Sequence, residues 1–297
     1  MGVVFGLALT LTACEEDRLL IVPDLGFPDL GPIPDLGEPD LGVEEMDAGP
    51  DDLGPPDLGP ADLGPPDLGR PDVGVPPATE AIYIHTGSAL FSYDPAQHVA
   101  TELGTFRDAN GPLEDPMVDI AIDRFGTLYG GSGASRDDKR VYLIDPNTAF
   151  CQPLFIVDDN LNGMAFDGRG RLIAAGDTLR VLDTSDGARV LTFENAGSQF
   201  TTSGDVVGLP DGNIYWTVTG DGNADRLVRL DPISGATQLL GTLTRDNLFG
   251  LGYANGELFG FTSSGEVVVI NPSTGRVTAE RSLPGSWYGA TTNPVAW

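Results

Sequence analysis

Histidine, cysteine and basic side chains are the scarce types in this sequence. Its 297 residues hold two histidines, His85 and His98, two cysteines, Cys14 and Cys151, and 16 lysines and arginines against 44 aspartates and glutamates. Two isolated histidines exclude a histidine-built metal centre or catalytic triad, and each reads as a hydrogen-bonded structural residue, His85 in a strand and His98 in a polar turn. The sequence has no Cys-x-x-Cys, no His-Glu-x-x-His, no Gly-rich phosphate loop opening a helix and no nucleophile elbow. The basic residues are scattered singly in a chain of net charge −28, which excludes nucleic acid as a partner and gives an anionic membrane surface nothing to attract. The two cysteines stand in contexts too different to pair, and Cys151, within an apolar run, reads as a small buried hydrophobe.

Long apolar runs are also missing. The one apolar stretch near the N-terminus, Gly2 to Ala13, falls short of the roughly 20 residues that a spanning helix needs and suits the core of an export signal. It ends in Leu11-Thr12-Ala13-Cys14, which resembles the bacterial lipobox, in which a cysteine is acylated and becomes the new N-terminus. The resemblance implies residues 1–13 as signal peptide and a lipidated Cys14 that binds the bilayer. At about 0.8 kcal/mol per buried CH₂, two or three acyl chains hold a protein firmly. The expected location is that of an exported, membrane-anchored lipoprotein, at the outer membrane, on its periplasmic face or at the cell surface.

Residues 14–78 carry a repeat: Pro23-Asp24-Leu25-Gly26, Pro28-Asp29-Leu30-Gly31, Pro34-Asp35-Leu36-Gly37, Pro39-Asp40-Leu41-Gly42, Pro56-Asp57-Leu58-Gly59 and Pro66-Asp67-Leu68-Gly69. Proline removes backbone donors, glycine costs entropy to order, and the aspartates repel one another, so this segment is expected to be a disordered acidic tether.

Residues 79–297 repeat on a larger scale. A strand closing in Asp or Asn recurs at Asp94, Asp145, Asp183, Asp231 and Asn271, at spacings of 38 to 51 residues, four of the five being followed by proline and Asp183 opening a Gly-containing turn. Between these lie strand–turn–strand units at Ile120–Tyr129, Met164–Ile173, Val207–Trp216 and Leu251–Phe259. Four antiparallel strands per unit of about 40 residues is the pattern of a propeller blade. The first unit opens at its second strand, Ala81-Ile82-Tyr83-Ile84, and the C-terminus supplies an unpaired first-strand pattern from Trp287 to Thr292. The fold class is therefore all-β: a five-bladed β-propeller of four-stranded antiparallel blades, closed by the C-terminal strand and preceded by the tether.

The Asp123-x-x-Gly126-x-Leu128-Tyr129 element and the Asp231-Pro232-x-x-Gly235 turn resemble those of NHL and gluconolactonase-like propellers. If first strands line a central channel, Asp119, Asn160, Asn162, Asp205, Asn247 and Tyr288 gather at its mouth. The gluconolactonase resemblance implies calcium there, polarising a lactone or ester. A second candidate calcium site is the loop Gly220-Asp221-Gly222-Asn223-Ala224-Asp225, in which Asp221, Asn223 and Asp225 alternate as ligands do in calcium loops. Calcium is the one cofactor these patterns admit. With no catalytic constellation, the leading expectation is a binding platform for an envelope protein or glycan; the alternative is a calcium-dependent lactonase or esterase.

Overall fold

The structure, a computed structural model, describes residues 82–133, 139–158, 160–220, 222 and 224–292. The signal sequence, Cys14 and the tether lie outside the described residues, as do Asp221 and Asn223. The first blade contains β1 (Ile82–His85), β2 (Ala89–Asp94) and β3 (Val99–Thr105), and the ribbon β4 (Arg107–Asp108) with β5 (Gly111–Pro112) leads out of it. The second blade is β6 (Met117–Ile122), β7 (Leu128–Ser132), β8 (Lys139–Ile144) and β9 (Cys151–Val157). The third is β10 (Gly163–Phe166), β11 (Leu172–Ala175), β12 (Leu179–Leu182) and β13 (Arg189–Thr192), followed by the short helix α1 (Glu194–Gln199). The fourth is β14 (Thr202–Gly208), β15 (Ile214–Val218), β16 (Arg226–Leu230) and β17 (Thr237–Thr242). The fifth is β18 (Leu248–Ala254), β19 (Glu257–Thr262), β20 (Glu266–Asn271) and β21 (Arg276–Ser282), and the last strand is β22 (Gly289–Thr292).

Each blade is a four-stranded antiparallel sheet in chain order, except the first, whose order is β22-β1-β2-β3. β22 pairs with β1 from Ile82↔Thr292 to His85↔Gly289, so the C-terminal segment supplies the innermost strand that the N-terminal segment lacks. The expected closure is present, and the five-bladed propeller with it.

The repeated Asp or Asn at the end of each third strand works locally. Asp94, Asp145, Asp183, Asp231 and Asn271 each accept, on Oδ1, the backbone N–H two residues on, at 2.8 to 3.0 Å. This Asx turn satisfies donors that the reversing chain would leave unpaired. At the inner turns of the second and third blades, Asp123 accepts the N–H groups of Phe125 and Thr127, and Asp167 those of Arg169 and Arg171. The glycines there, Gly126 and Gly170, have φ of 82° and 77°, which a side chain would strain.

The apolar core lies between blades. One cluster joins Ile173 and Val181 of the third blade to Val206, Ile214 and Trp216 of the fourth; another joins Ile82, Ile84 and Tyr93 of the first to Phe259, Phe261 and Val267 of the fifth. Three further clusters fill the remaining interfaces, and Cys151 is fully buried in the one between the first and second blades, where burial pushes its thiol up to about 12. His98, with φ of 57°, bridges the first blade to the fifth: its ring bonds Tyr93 Oη at 2.8 Å and the Ser282 carbonyl at 2.9 Å.

Candidate functional site: the channel neck and its mouth

The innermost strand of every blade is an edge strand whose N–H and C=O groups face the channel, and these need partners as much as any others. In this small ring the five inner strands touch their neighbours all the way round, β6 to β10, β14, β18, β22 and back to β6. Asp119, Gly163, Asp205, Gly250 and Gly289 stand level with one another on these strands. The three glycines are required by crowding. A Cβ at Gly163 would fall 2.9 Å from the Gly204 carbonyl oxygen, one at Gly250 2.9 Å from the Gly289 backbone, and one at Gly289 2.0 Å from Asp119 Oδ1 and 2.4 Å from His85 Nε2.

The two aspartates at this level close the axis. Asp119 accepts the N–H of Met164, while Asp205 accepts that of Val206 at 2.6 Å, that of Leu251 at 2.6 Å and that of Ala290 at 3.3 Å. Two carboxyl groups thus collect one N–H from each of four blades, and Asp119 itself stands on the inner strand of the remaining one. Both are fully buried, and they face each other closely enough to share a proton. Burial, reinforced by the Asp205 charge, holds Asp119 well above the usual carboxylate range. Burial also pushes Asp205 up to about 8, against the lowering effect of the hydrogen bonds it accepts. Like-charged neighbours without water cannot both ionise, so the pair retains a proton at neutral pH.

His85 completes this layer. Its Nδ1 bonds the Thr86 carbonyl at 2.8 Å, and its Nε2 stands 3.9 Å from Asp119 Oδ1, neither of the two having a hydrogen-bond partner. Burial lowers the imidazole to about 4, so it is neutral at neutral pH and the contact is no ion pair. Deeper in the channel, Thr291 and Thr292 of β22 accept the N–H groups of Ile122 and Tyr253, tying the closing strand to the second and fifth blades.

Above the neck the channel opens into a depression of about 230 Å³ lined by Val118, Asn162, Ser203, Gly204, Phe249 and Tyr288. Phe249 and Tyr288 stack at 6.1 Å between ring centroids, 12° from parallel, and Tyr288 is 42% exposed. Beside it lies a polar depression of about 310 Å³ that includes Ser203, Asp225, Asp246 and Asn247. Asp225 is itself buried, with its carboxyl raised by burial and bonded to the Leu248 N–H at 3.0 Å.

No family model matches the sequence, and no curated protein matches it. Among solved structures, the chain is similar to a protein of unknown function from Bacteroides caccae, with 13% identity, coverage of 69% of this chain and 73% of that one, and a TM-score of 0.40. It is also similar to BamB from Moraxella catarrhalis, with 13% identity over 67% and 71% of the two chains and a TM-score of 0.34. A third is TolB from Acinetobacter baumannii, with 13% identity over 71% and 54% and a TM-score of 0.43. The assignment to the propeller fold rests on the strand order itself.

The structure distributes the six mouth residues expected from sequence over four places. Asp119 and Asp205 meet at the neck, turned to backbone donors and to each other. Asn162 and Tyr288 line the mouth, Asn247 lines the adjoining depression with Asp225, and Asn160 is half-buried with its carbonyl against Gly176. Among the described residues, no three His, Cys, Asp or Glu side chains are grouped to hold a metal ion. Sequence reading missed Phe249, and it named His85 as a structural strand residue without placing it at the neck. The repeated aromatic-Gly dipeptide, Phe249-Gly250 and Tyr288-Gly289, was the available signal for the first.

Proposed function

We propose that this chain is an exported lipoprotein of the cell envelope, anchored through acylated Cys14, whose propeller offers its channel mouth as a rigid binding surface for a glycan. The observation that carries this reading is the stacked Phe249–Tyr288 pair above a closed neck. An exposed aromatic wall covers the apolar face of a sugar ring, and Asn162 and Ser203 beside it supply an amide and a hydroxyl to meet sugar hydroxyls. The six residues that line the depression carry no charge, which suits recognition of a neutral ligand. The carboxyls that could have served as acid and base are enclosed beneath it.

The test is titration of the purified protein with oligosaccharide fragments of envelope glycans, read by calorimetry. Binding that falls at least about tenfold, or about 1.4 kcal/mol, in Tyr288→Ala and Phe249→Ala supports the reading. Equal affinity in both variants and the parent, or binding only to envelope proteins, overturns it. The anchor is tested separately: the native chain should partition into detergent and Cys14→Ser should remain in the aqueous phase.

A further inference from the structure

The face opposite the mouth carries a groove of about 450 Å³ whose walls include Arg124, Arg169, Leu209, Pro210, Pro232 and Ile233. These residues come from the inner turns of the second, third and fourth blades and the outer turn of the fourth. In a chain of net charge −28, the groove is notable for Arg124 and Arg169, which among the described residues have no carboxylate at ion-pair distance, although Asp167 also lines it. Arg171 is occupied, its guanidinium held by Asp167 at 2.7 Å and by the Pro232 carbonyl at 2.9 Å. Arg124 instead lies over the Phe125 ring at 4.9 Å, and among the described residues neither it nor Arg169 has a carboxylate partner.

The reason is local. The aspartates nearby are committed to their own turns: Asp123 to Phe125 and Thr127, Asp167 to Arg169, Arg171 and the Arg171 guanidinium, Asp211 to Asn213 and the Tyr215 hydroxyl. Asp231 feels the Arg169 charge, but its oxygens take the Ile233 N–H at 2.8 Å and the Ser234 hydroxyl at 2.6 Å. The guanidiniums of Arg124 and Arg169, without an ion pair among the described residues, are flanked by exposed apolar surface, Ile233 at 71% and Phe125 at 61%. The groove therefore calls for a short segment with a carboxylate beside an aliphatic side chain.

The same face is where the chain enters the propeller. In four blades the first and second strands are joined there by a turn, whereas in the first blade that end is Ile82 paired with Thr292. Just upstream run Pro66-Asp67-Leu68-Gly69 and Pro71-Asp72-Val73-Gly74. Gly74 and Gly69 precede Ile82 by 8 and 13 residues. At about 3.3 Å per residue they reach roughly 26 and 43 Å from it, enough to cross a propeller face. We propose that the groove docks residues 66–74 of the same chain, with Asp67 or Asp72 between Arg124 and Arg169 and the following Leu68 or Val73 on Leu209 and Ile233. Covalent continuity gives this segment an effective concentration that a free peptide would not match.

The experiment is disulfide trapping in the full chain carrying Cys14→Ser, comparing Val73→Cys with Ile233→Cys against Val73→Cys with Ser273→Cys, an exposed turn residue of the fifth blade on the same face. The first pair should close within one chain about fivefold faster than the second or more. That advantage should vanish in about 0.5 M salt, where charges are screened within a few ångströms. It should vanish equally in Arg124→Glu/Arg169→Glu and in Asp67→Asn/Asp72→Asn, the latter leaving the propeller untouched. Equal rates for the two cysteine pairs, an advantage that survives Asp67→Asn/Asp72→Asn, or closure only between chains, running as a dimer, overturns the proposal.

Discussion

The neck and the mouth of the channel are built on the same five strands, one residue apart, yet they differ in how much is left over for a ligand. At the neck, two carboxyls take N–H groups from four blades and three glycines leave no room for added side chains. One residue nearer solvent, Phe249 and Tyr288 have each other as ring partners, with no further one among the described residues, and Tyr288 remains 42% exposed. The contrast teaches that acidic residues at the centre of a ring need not be chemistry. A ring this tight must cap its inward donors with something, and buried carboxyl oxygens do so where water has no space. Residues that bear on function are then those with unmatched surface.

The comparison is broken most bluntly by deleting residues 285–297, which removes β22 and with it Gly289, the Ala290 donor and Trp287, 2% exposed in the core between the first and fifth blades. Losing a strand and its buried side chains costs several kcal/mol, against a typical stability of about 5 to 15 kcal/mol. The expected outcome is loss of a cooperative melt, and a soluble, cooperatively melting product would contradict the shared-blade closure. Next in size come the neck aspartates. Asp205→Ala strands three N–H groups and Asp119→Ala one, at about 1 to 3 kcal/mol for each buried donor left unpaired. Denaturant titration should rank Asp205→Ala as the more damaging, and the reverse order would mean that the donors find other partners.

A smaller effect is the pH dependence. Asp119 and Asp205 have folded pKa values above those of the unfolded chain, so the folded state holds more protons above about pH 4. Their contribution is therefore fully present below that pH and is lost as pH rises toward about 8 for Asp205. His85 acts at the other end: its folded value near 4 lies below the unfolded one, so stability is lost as pH falls from about 6.5. Asp119→Asn keeps the acceptor oxygen and adds an N–H toward Asp205 without the titration. It should fold, and its stability between about pH 5 and 8 should decline less steeply than that of the parent. An identical slope would show that the neck pair does not titrate in this window. The smallest shift in stability belongs to Tyr288→Ala, expected within about 1 kcal/mol because the ring is largely outside the core, even as ligand binding is lost.

The blade count and the closure were legible because both rest on features with a local cause. An Asx turn needs its Asp or Asn at one position, so the residues at 94, 145, 183, 231 and 271 mark every blade. The missing first strand and the surplus last one are likewise visible in order alone. The level of Asp119 and Asp205 was harder to read. The pairing registers slip near the tops of β6, β14 and β18, between Met117 and Asp119, Thr202 and Val206, and Leu248 and Gly250. Such bulges displace residues along the axis without a marker in composition. That slip is why Asn247 stood in the expected mouth where the structure has Phe249. The three glycines level with the two aspartates were the clue to crowding, but a glycine in a strand is consistent with several causes.

The pairing of β1 with β22 has a mechanical side. The chain comes in at Ile82 on the lower face, whereas a ligand at the mouth would hold the upper end of the molecule through Tyr288 and β22. Tension between the two would run along the strands, and the backbone bonds of the four residue pairs from Ile82↔Thr292 to His85↔Gly289 would be loaded together in shear rather than peeled one after another. β22 is also pinned sideways by Thr291 and Thr292 to the strands on either side. The seam that closes the ring is thus oriented to resist a pull between the chain's point of arrival and whatever the mouth has grasped.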